Sequence, residues 1–324
     1  MYLPLWIGAI ILGLDGEAPE WGPIALFMAT AIILYSIAEF ANKYADRDED
    51  WLYWPSNPLV TGELDAGTAR NALVLQNIAA GLLLVALLLV TLNYSLIIAL
   101  IAGWFIGLAY SVPPFRFKET LAGPFVVALG DAILPLVGWL VVAPANSFIG
   151  AFFLFCFVFT FGVGITAKFR KTFHALNRGL IQVERGGSIY NLSTVGLKLK
   201  VKTAMPLEAI TALGAFILVP IFWHLEIFDM PLSIGLLTLP LALTVLAIVL
   251  RVKDPLNNGP KCALFMGMAW IFIILSLFAV ALTSLLHWGL IVLAIVVYTI
   301  GGLVLFRTIQ PFGLKALTAP WQEM

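Results

Sequence analysis

Long apolar runs separated by short polar segments constrain the fold of this chain more than any other feature. Hydrophobic residues make up 61% of its 324 positions and charged residues only 11%, whereas soluble domains are roughly half apolar and a quarter charged. Most of the runs approach the length of about twenty residues that a membrane-spanning helix needs. They lie at about residues 3–14, 23–44, 70–92, 94–110, 121–143, 147–168, 206–224, 231–250, 262–286 and 288–306.

These runs predict an all-α, polytopic membrane bundle of about nine to ten transmembrane helices, forming one integral-membrane domain over residues 1–324. The first run is short, lacks a basic leading region and is followed directly by another run. We therefore interpret it as a truncated or tilted helix and not as a cleaved signal peptide.

The cationic residues indicate how the bundle is oriented. All 18 fall in segments on one side of the predicted membrane, and the segments on the other side contain none. By the positive-inside rule, both termini and the motif-bearing loops are expected at the cytoplasmic face of the cell membrane. The net charge of zero hides this asymmetry, which concerns membrane insertion, and no nucleic-acid partner is expected.

An acidic segment, Asn42–Asp50, follows the second apolar run and places four acids in its last five positions. If the helix continues, Asn42, Asp46 and Asp50 are spaced by four residues, so their side-chain oxygens lie along one face. Hard oxygen ligands of this kind, completed by substrate phosphates and water, suit Mg2+. The alternative is a solvated acidic helix end at the membrane surface.

A second polar segment, Tyr110–Lys118, follows the fourth run and contains two consecutive prolines. Prolines fix the backbone, so we expect an extended loop in which Arg116 and Lys118 point the same way. Cations beside a membrane commonly serve as topology signals or bind lipid headgroups. Combined with the acidic segment, however, a stiff basic loop indicates a site that clamps a metal-bound diphosphate.

Three motifs in register resemble those of the UbiA-type intramembrane prenyltransferases. These are the Asn and two Asp at Asn42, Asp46 and Asp50, the proline-glycine loop at residues 57–62, and the Tyr-Ser-x-Pro-Pro-x-Arg-x-Lys loop from Tyr110 to Lys118. The resemblance covers roughly residues 1–205, leaving 206–324 as further transmembrane helices. It implies a bundle around a lipid-open cavity, in which Mg2+ holds a polyprenyl diphosphate and a prenyl carbocation passes to an acceptor.

The resemblance also implies roles for individual residues. Asn42, Asp46 and Asp50 would bind Mg2+, with the two aspartates counted as catalytic. It also implies that Tyr110, Ser111, Arg116 and Lys118 bind the diphosphate. Lys168, Arg170 and Lys171 are expected to bind phosphate oxygens as well, but on the charge that they carry and not on the resemblance.

Asp131 lies near the middle of the fifth run. A carboxyl group at that depth costs at least about 2.5 kcal/mol unless it lines a cavity or is neutralised, so it is a functional candidate. It could face the acceptor or the prenyl chain as a catalytic residue, or be a protonated Asp bonded to a neighbouring helix.

The chain departs from the family after its sixth run. A second aspartate motif is expected there, yet no Asp occurs between Asp131 and Asp229, and Glu184 is the only acid between Lys168 and Met205. The same segment carries eight cations, which could neutralise a diphosphate in place of a second metal ion. A degenerate, non-catalytic copy would look the same.

The predicted function is therefore Mg2+-dependent transfer of a prenyl group, within the membrane lipid, to a hydrophobic aromatic or lipid acceptor. The alternative is a UbiA-like protein that binds an isoprenoid or lipid without transferring it.

Overall fold

The computed structural model describes residues 3–53, 57–177, 182–185, 188–191, 201–253 and 258–285. Between residues 166 and 205 this description covers backbone only.

Eleven α-helices, one 3-10 helix and one hairpin make up the described part. The helices are α1 (Leu3–Leu14), α2 (Trp21–Tyr53), α3 (Pro58–Thr61), α4 (Ala66–Thr91), α5 (Tyr94–Ser111), α6 (Gly123–Leu140), α7 (Ser147–Asn177), α8 (Val201–His224), α9 (Met230–Leu237), α10 (Leu239–Lys253) and α11 (Gly259–Leu285). The 3-10 helix is Phe117–Glu119, and strands β1 (Gln182–Arg185) and β2 (Ser188–Asn191) pair antiparallel, with Gln182 opposite Asn191.

Eight helical segments of the described chain are long and apolar enough to cross a membrane, and α1 is a shorter apolar helix. This confirms the predicted all-α membrane bundle and its short first helix. The predicted run 231–250 consists of two helices, α9 and α10, because the backbone breaks at Thr238 just before Pro240. The predicted run 288–306 lies outside the described residues.

Side chains cap several helices at the polar ends of the apolar runs. Asn57 begins α3, Asp65 begins α4, Asn93 begins α5 and Asp229 begins α9, each accepting a hydrogen bond from a backbone N–H of the first turn. Gly62 ends α3 with a φ of 80°, a left-handed conformation that glycine adopts without steric cost. These capping residues fix where the helices begin and end.

The two larger apolar cores of the described bundle are formed by different sets of helices. One joins α1, α2, α4, α5 and α6 around Phe27 and Leu87, and the other joins α1, α6, α7, α8, α9 and α11 around stacked aromatic rings such as Phe155 and Phe159. Helices α1 and α6 belong to both cores. They therefore connect the motif-bearing helices to the C-terminal helices.

A buried ion pair joins α8 to α10 away from the predicted motifs. Arg251 Nη2 lies 3.3 Å from Glu208 Oε2, and both side chains are 2% exposed. Next to this pair, the Sγ of Cys262 on α11 donates to the carbonyl oxygen of Ala247 at 3.1 Å. Three helices of the C-terminal part are thus tied together by polar contacts that the sequence analysis does not predict.

Candidate active site

Asn42, Asp46 and Asp50 lie on one helical face, as the spacing predicts. Helix α2 continues without a break past the apolar portion to Tyr53, so successive members of the set are about 6 Å apart along its axis. Asp46 is 4% exposed, and Asp50 is half-buried. We call this set the acidic face.

The basic loop, Tyr110–Lys118, directs both of its cations at the acidic face. Lys118 Nζ forms an ion pair with Asp46 Oδ1, and Arg116 Nη2 lies 3.7 Å from the same oxygen. Arg116 also pairs through Nε with Glu119 Oε1 at 2.7 Å. The loop is not extended as predicted: its end turns into the 3-10 helix, and Arg116 has a left-handed φ of 42°. This turn brings the two cations to one carboxylate.

Asn57 fixes the far end of the acidic face. Its Nδ2 donates to Asp50 Oδ2 at 2.8 Å, while its Oδ1 accepts from the backbone N–H of Leu59 at 3.1 Å. The side chain is buried, with 2% exposure. One amide therefore both caps α3 and orients an aspartate of the motif, so the proline-glycine loop is part of the site's framework.

Helix α5 fixes the near end of the acidic face. Ser111 Oγ donates to Asn42 Oδ1 at 2.8 Å. One turn earlier on α5, Gly107 lies so close to α2 that a Cβ on it would be 2.7 Å from the Cβ of Ala38. The absence of a side chain at Gly107 allows the helices to approach closely enough for the Ser111–Asn42 bond.

A cavity of about 290 Å³ opens beside the acidic face. Helices α2, α5 and α6 form its walls, and Trp6 of α1 also lines it. Its polar lining comes from Tyr35, Glu39, Asn42, Tyr110, Ser111 and Asp131, and the rest of its wall is largely apolar. Asp131 thus lines a cavity, as one of its two predicted readings requires.

Some predicted site residues lie where only backbone is described. Lys168, Arg170 and Lys171 are on the C-terminal part of α7, which continues to Asn177, and Glu184 is in β1. Their side chains lie outside the described residues, so their predicted roles in binding diphosphate or a second metal ion stay predictions.

The donor set of the acidic face suits an Mg2+ ion shared with a substrate. In the part of the chain described with side chains, no group of three or more His, Cys, Asp or Glu is arranged to hold a metal ion. Mg2+ commonly uses one or two carboxylates and completes its coordination with substrate phosphates and water. Asp46, Asp50 and the amide oxygen of Asn42 fit a site of this kind, in which the substrate and water supply the remaining ligands.

Three partners of the site escaped the sequence analysis: the amide of Asn57, the carboxylate of Glu119 and the phenol of Tyr35. Asn57 directly precedes a proline at the start of a helix, which is a capping signal. Tyr35 is four residues before Glu39, a spacing at which helical side chains meet. Both sequence signals could have identified these residues as parts of the site. Glu119 has no such signal apart from its position next to Lys118.

Solved structures of two kinds are similar to this chain. A structure of a digeranylgeranylglyceryl phosphate synthase in membranes shares 19% identity, with a TM-score of 0.61, over 86% of this chain and 92% of that one. A UbiA homologue from Archaeoglobus fulgidus, bound to GPP and Mg2+, shares 19% identity, with a TM-score of 0.54, over 83% and 95%. At these identities the likeness concerns the fold.

No curated protein matches the chain. The sequence model of the UbiA prenyltransferase family, however, matches residues 1–267. That span includes the acidic face, the basic loop and every helix that lines the cavity. The chain is an integral membrane protein that belongs to the UbiA prenyltransferase family.

Proposed function

We propose that the protein transfers a prenyl group from a polyprenyl diphosphate to a hydrophobic aromatic or lipid acceptor, with Mg2+ as cofactor. The observation that carries this proposal is the meeting of the acidic face with the basic loop, through Asp46, Lys118 and Arg116. Asn42 of the acidic face and Tyr110 and Ser111 of the basic loop also line the largely apolar cavity. The UbiA homologue bound to GPP and Mg2+ supports the proposal.

The acidic face and the basic loop divide the binding of the diphosphate between them. Asn42, Asp46 and Asp50 would hold Mg2+, which supplies positive charge to the diphosphate as the leaving group departs. Arg116 and Lys118 bind phosphate oxygens directly, exchanging part of their contact with Asp46 for contact with the substrate. Tyr110 and Ser111 border the same end of the cavity.

The cavity wall protects the reactive carbon from water. Apolar side chains from α2, α5 and α6 surround the space next to the acidic face, and a prenyl carbocation survives only where water is excluded. Asp131, on the cavity wall, faces the acceptor or the prenyl chain. Both termini and the motif loops lie at the cytoplasmic face of the cell membrane, following the distribution of cations.

Cations replace the second aspartate motif in this proposal. Lys168, Arg170 and Lys171 follow the apolar part of α7, where the family's second motif is expected. Fixed ammonium and guanidinium groups neutralise phosphate charge without a metal ion. If these cations do not neutralise the leaving diphosphate, the protein binds the isoprenoid without transferring it. The experiment described next separates the two functions.

The experiment compares two carboxylate variants with a matched control in the full-length protein in lipid nanodiscs. Asp46→Asn and Asp50→Asn remove charge from the acidic face, whereas Asp48→Asn removes the same charge from an exposed position of the same helix. We expect the first two to weaken Mg2+-dependent binding of geranylgeranyl thiodiphosphate by about tenfold or more. Asp48→Asn should leave it within about twofold.

Turnover is followed with tritiated geranylgeranyl diphosphate and extraction of the product. Wild-type affinity in both Asp46→Asn and Asp50→Asn would overturn the metal assignment. Mg2+-dependent binding without product formation from any aromatic or lipid acceptor would favour the non-catalytic alternative.

A further inference from the structure

The cavity wall carries acidic groups that the binding of diphosphate does not use. Glu39 lies three residues before Asn42 on α2, about 4.5 Å along the helix axis and inside the candidate span Trp21–Asp48. Tyr35, Tyr110 and Asp131 line the same cavity. A carboxyl group inside a membrane span is costly unless it serves a cavity, so Glu39 is a functional candidate.

Tyr35 orients the carboxylate of Glu39. Its hydroxyl donates to Glu39 Oε1 at 3.0 Å across one helical turn. Both residues are exposed, Tyr35 by 37%, although they lie inside a span and line the cavity. Their exposed surface can therefore contact a molecule in the cavity.

The charge of the cavity wall discriminates between possible occupants. Two carboxyl groups, Glu39 and Asp131, line it, and the residues described as lining it include no Lys, Arg or His. A carboxylate brought beside a charged acid of this wall meets like charge, which disfavours its binding in a site of low polarity. A hydroxyl group instead donates a hydrogen bond to Glu39.

We propose that Glu39, oriented by Tyr35, accepts the proton of the acceptor's hydroxyl group, and that this acidic wall selects an uncharged, hydroxyl-bearing acceptor over a carboxylate. This inference rests on the proposed prenyl transfer. The acceptor's O–H bond breaks and its oxygen bonds to C1 of the prenyl group. The bond between C1 and the diphosphate breaks, and its electron pair leaves with the diphosphate, while the proton goes to Glu39. Glu39 is then a catalytic residue and Tyr35 a positioning residue.

A pair of probes matched in size tests the selection without requiring turnover. The affinities of 4-dodecylphenol and 4-dodecylbenzoate are measured at pH 7.5 by tryptophan fluorescence of the full-length protein in nanodiscs. We expect the wild type to bind the phenol at least about tenfold more tightly than the benzoate. In Glu39→Gln combined with Asp131→Asn, the ratio should fall to within about threefold, mainly because the benzoate binds more tightly.

The transfer reaction tests the proton acceptor. With geranylgeranyl diphosphate and a hydroxyl acceptor, Glu39→Gln keeps an oxygen that accepts from Tyr35 but cannot take the proton. We expect kcat to fall by about a hundredfold or more. The decline of kcat/KM at low pH, where a protonated carboxyl group accepts no proton, should disappear. Tyr35→Phe should lower kcat less and keep the pH profile.

Different results would overturn the selection of the acceptor, the role of Glu39 as the base and the proposed prenyl transfer. Equal wild-type affinity for the phenol and the benzoate, or an unchanged ratio in the double variant, overturns the selection of acceptors. An unchanged kcat and pH profile in Glu39→Gln overturns the role of the base. Loss of Mg2+-dependent binding of geranylgeranyl thiodiphosphate by the wild type would instead overturn the proposed function, while the probe ratio would still report on the cavity.

Discussion

Asp46 is the residue on which the two halves of the site meet. It is buried and pairs with Lys118, with Arg116 3.7 Å away. In the proposed reaction the carboxylate of Asp46 would bind Mg2+, and Lys118 and Arg116 bind phosphate. When the substrate binds, each charged group therefore exchanges an ion pair within the protein for one with Mg2+ or phosphate. Such an exchange avoids leaving a buried charge uncompensated, which would cost about 3–5 kcal/mol.

Asn57 offers a test of how the acidic face is held. Asn57→Ala removes the hydrogen bond to Asp50 Oδ2 and the cap of α3 together. We expect the affinity for geranylgeranyl thiodiphosphate and Mg2+ to fall by about tenfold, because partners behind a metal ligand typically contribute that much. The loss of the cap should lower the free energy of unfolding by about 1 kcal/mol.

The control for Asn57 is another helix cap that does not contact the acidic face. Asp65→Ala removes the cap of α4, where Asp65 Oδ2 accepts from the N–H of Thr68 at 2.9 Å. It should cost similar stability and leave binding unchanged. Equal loss of affinity in the two variants would show that Asn57 acts only through the fold.

At the level of helices, the contact between α2 and α5 sets the width of the site. Ser111 bonds to Asn42 where Gly107 faces Ala38. Small residues let membrane helices approach closely, and this approach is what stabilises helix pairs where lipid removes the hydrophobic driving force. A side chain at Gly107 would therefore change both the packing and the position of Asn42.

Gly107→Ala should separate the two helices. Its new Cβ would lie 2.7 Å from the Cβ of Ala38, closer than packed atoms allow, and overpacking of this kind costs about 1–3 kcal/mol. We expect a lower melting temperature and weaker binding of the thiodiphosphate. Gly81→Ala on α4, whose Cβ would meet nothing within 4 Å, should change neither.

The sequence predicts the helices better than their contacts. Each described span begins and ends within a few residues of its apolar run, because the thickness of the membrane fixes run length. The break at Thr238 and the 3-10 turn after Arg116 are missed, since both depend on local backbone geometry inside or beside a run. The bond from Asn57 to Asp50 and the pair of Glu208 with Arg251 are missed because no local pattern specifies which distant side chains meet.

Across the whole molecule, the chemistry and the support lie in different parts of the chain. The described lining of the cavity comes from α1, α2, α5 and α6, all before residue 141. Helix α7 packs against α6 and α8, and α11 packs against α1 and α7. The C-terminal helices thus hold α1 and α6 in place without contributing a described residue to the cavity wall.

The orientation of the bundle is a prediction for reporter fusions. A phosphatase reporter, which is active only outside the cytoplasm, should be silent when fused after Lys118 and active when fused after Asp229 or inserted at Glu17. The expected activities follow from the positive-inside rule, because all 18 cations lie on one predicted side of the membrane. Reversed activities would place the acidic face on the outer side, away from a cytoplasmic diphosphate.

The ion pair of Asp46 with Lys118 also sets an order of events during synthesis. At about 5–20 residues per second, a ribosome needs roughly 4 to 14 s to add the about 70 residues between them. Throughout that interval the carboxylate has no partner from the basic loop and stays hydrated at the membrane surface. Its burial therefore comes only after α5 is inserted and the loop emerges, which makes closure of the acidic face a late step in the maturation of the N-terminal half.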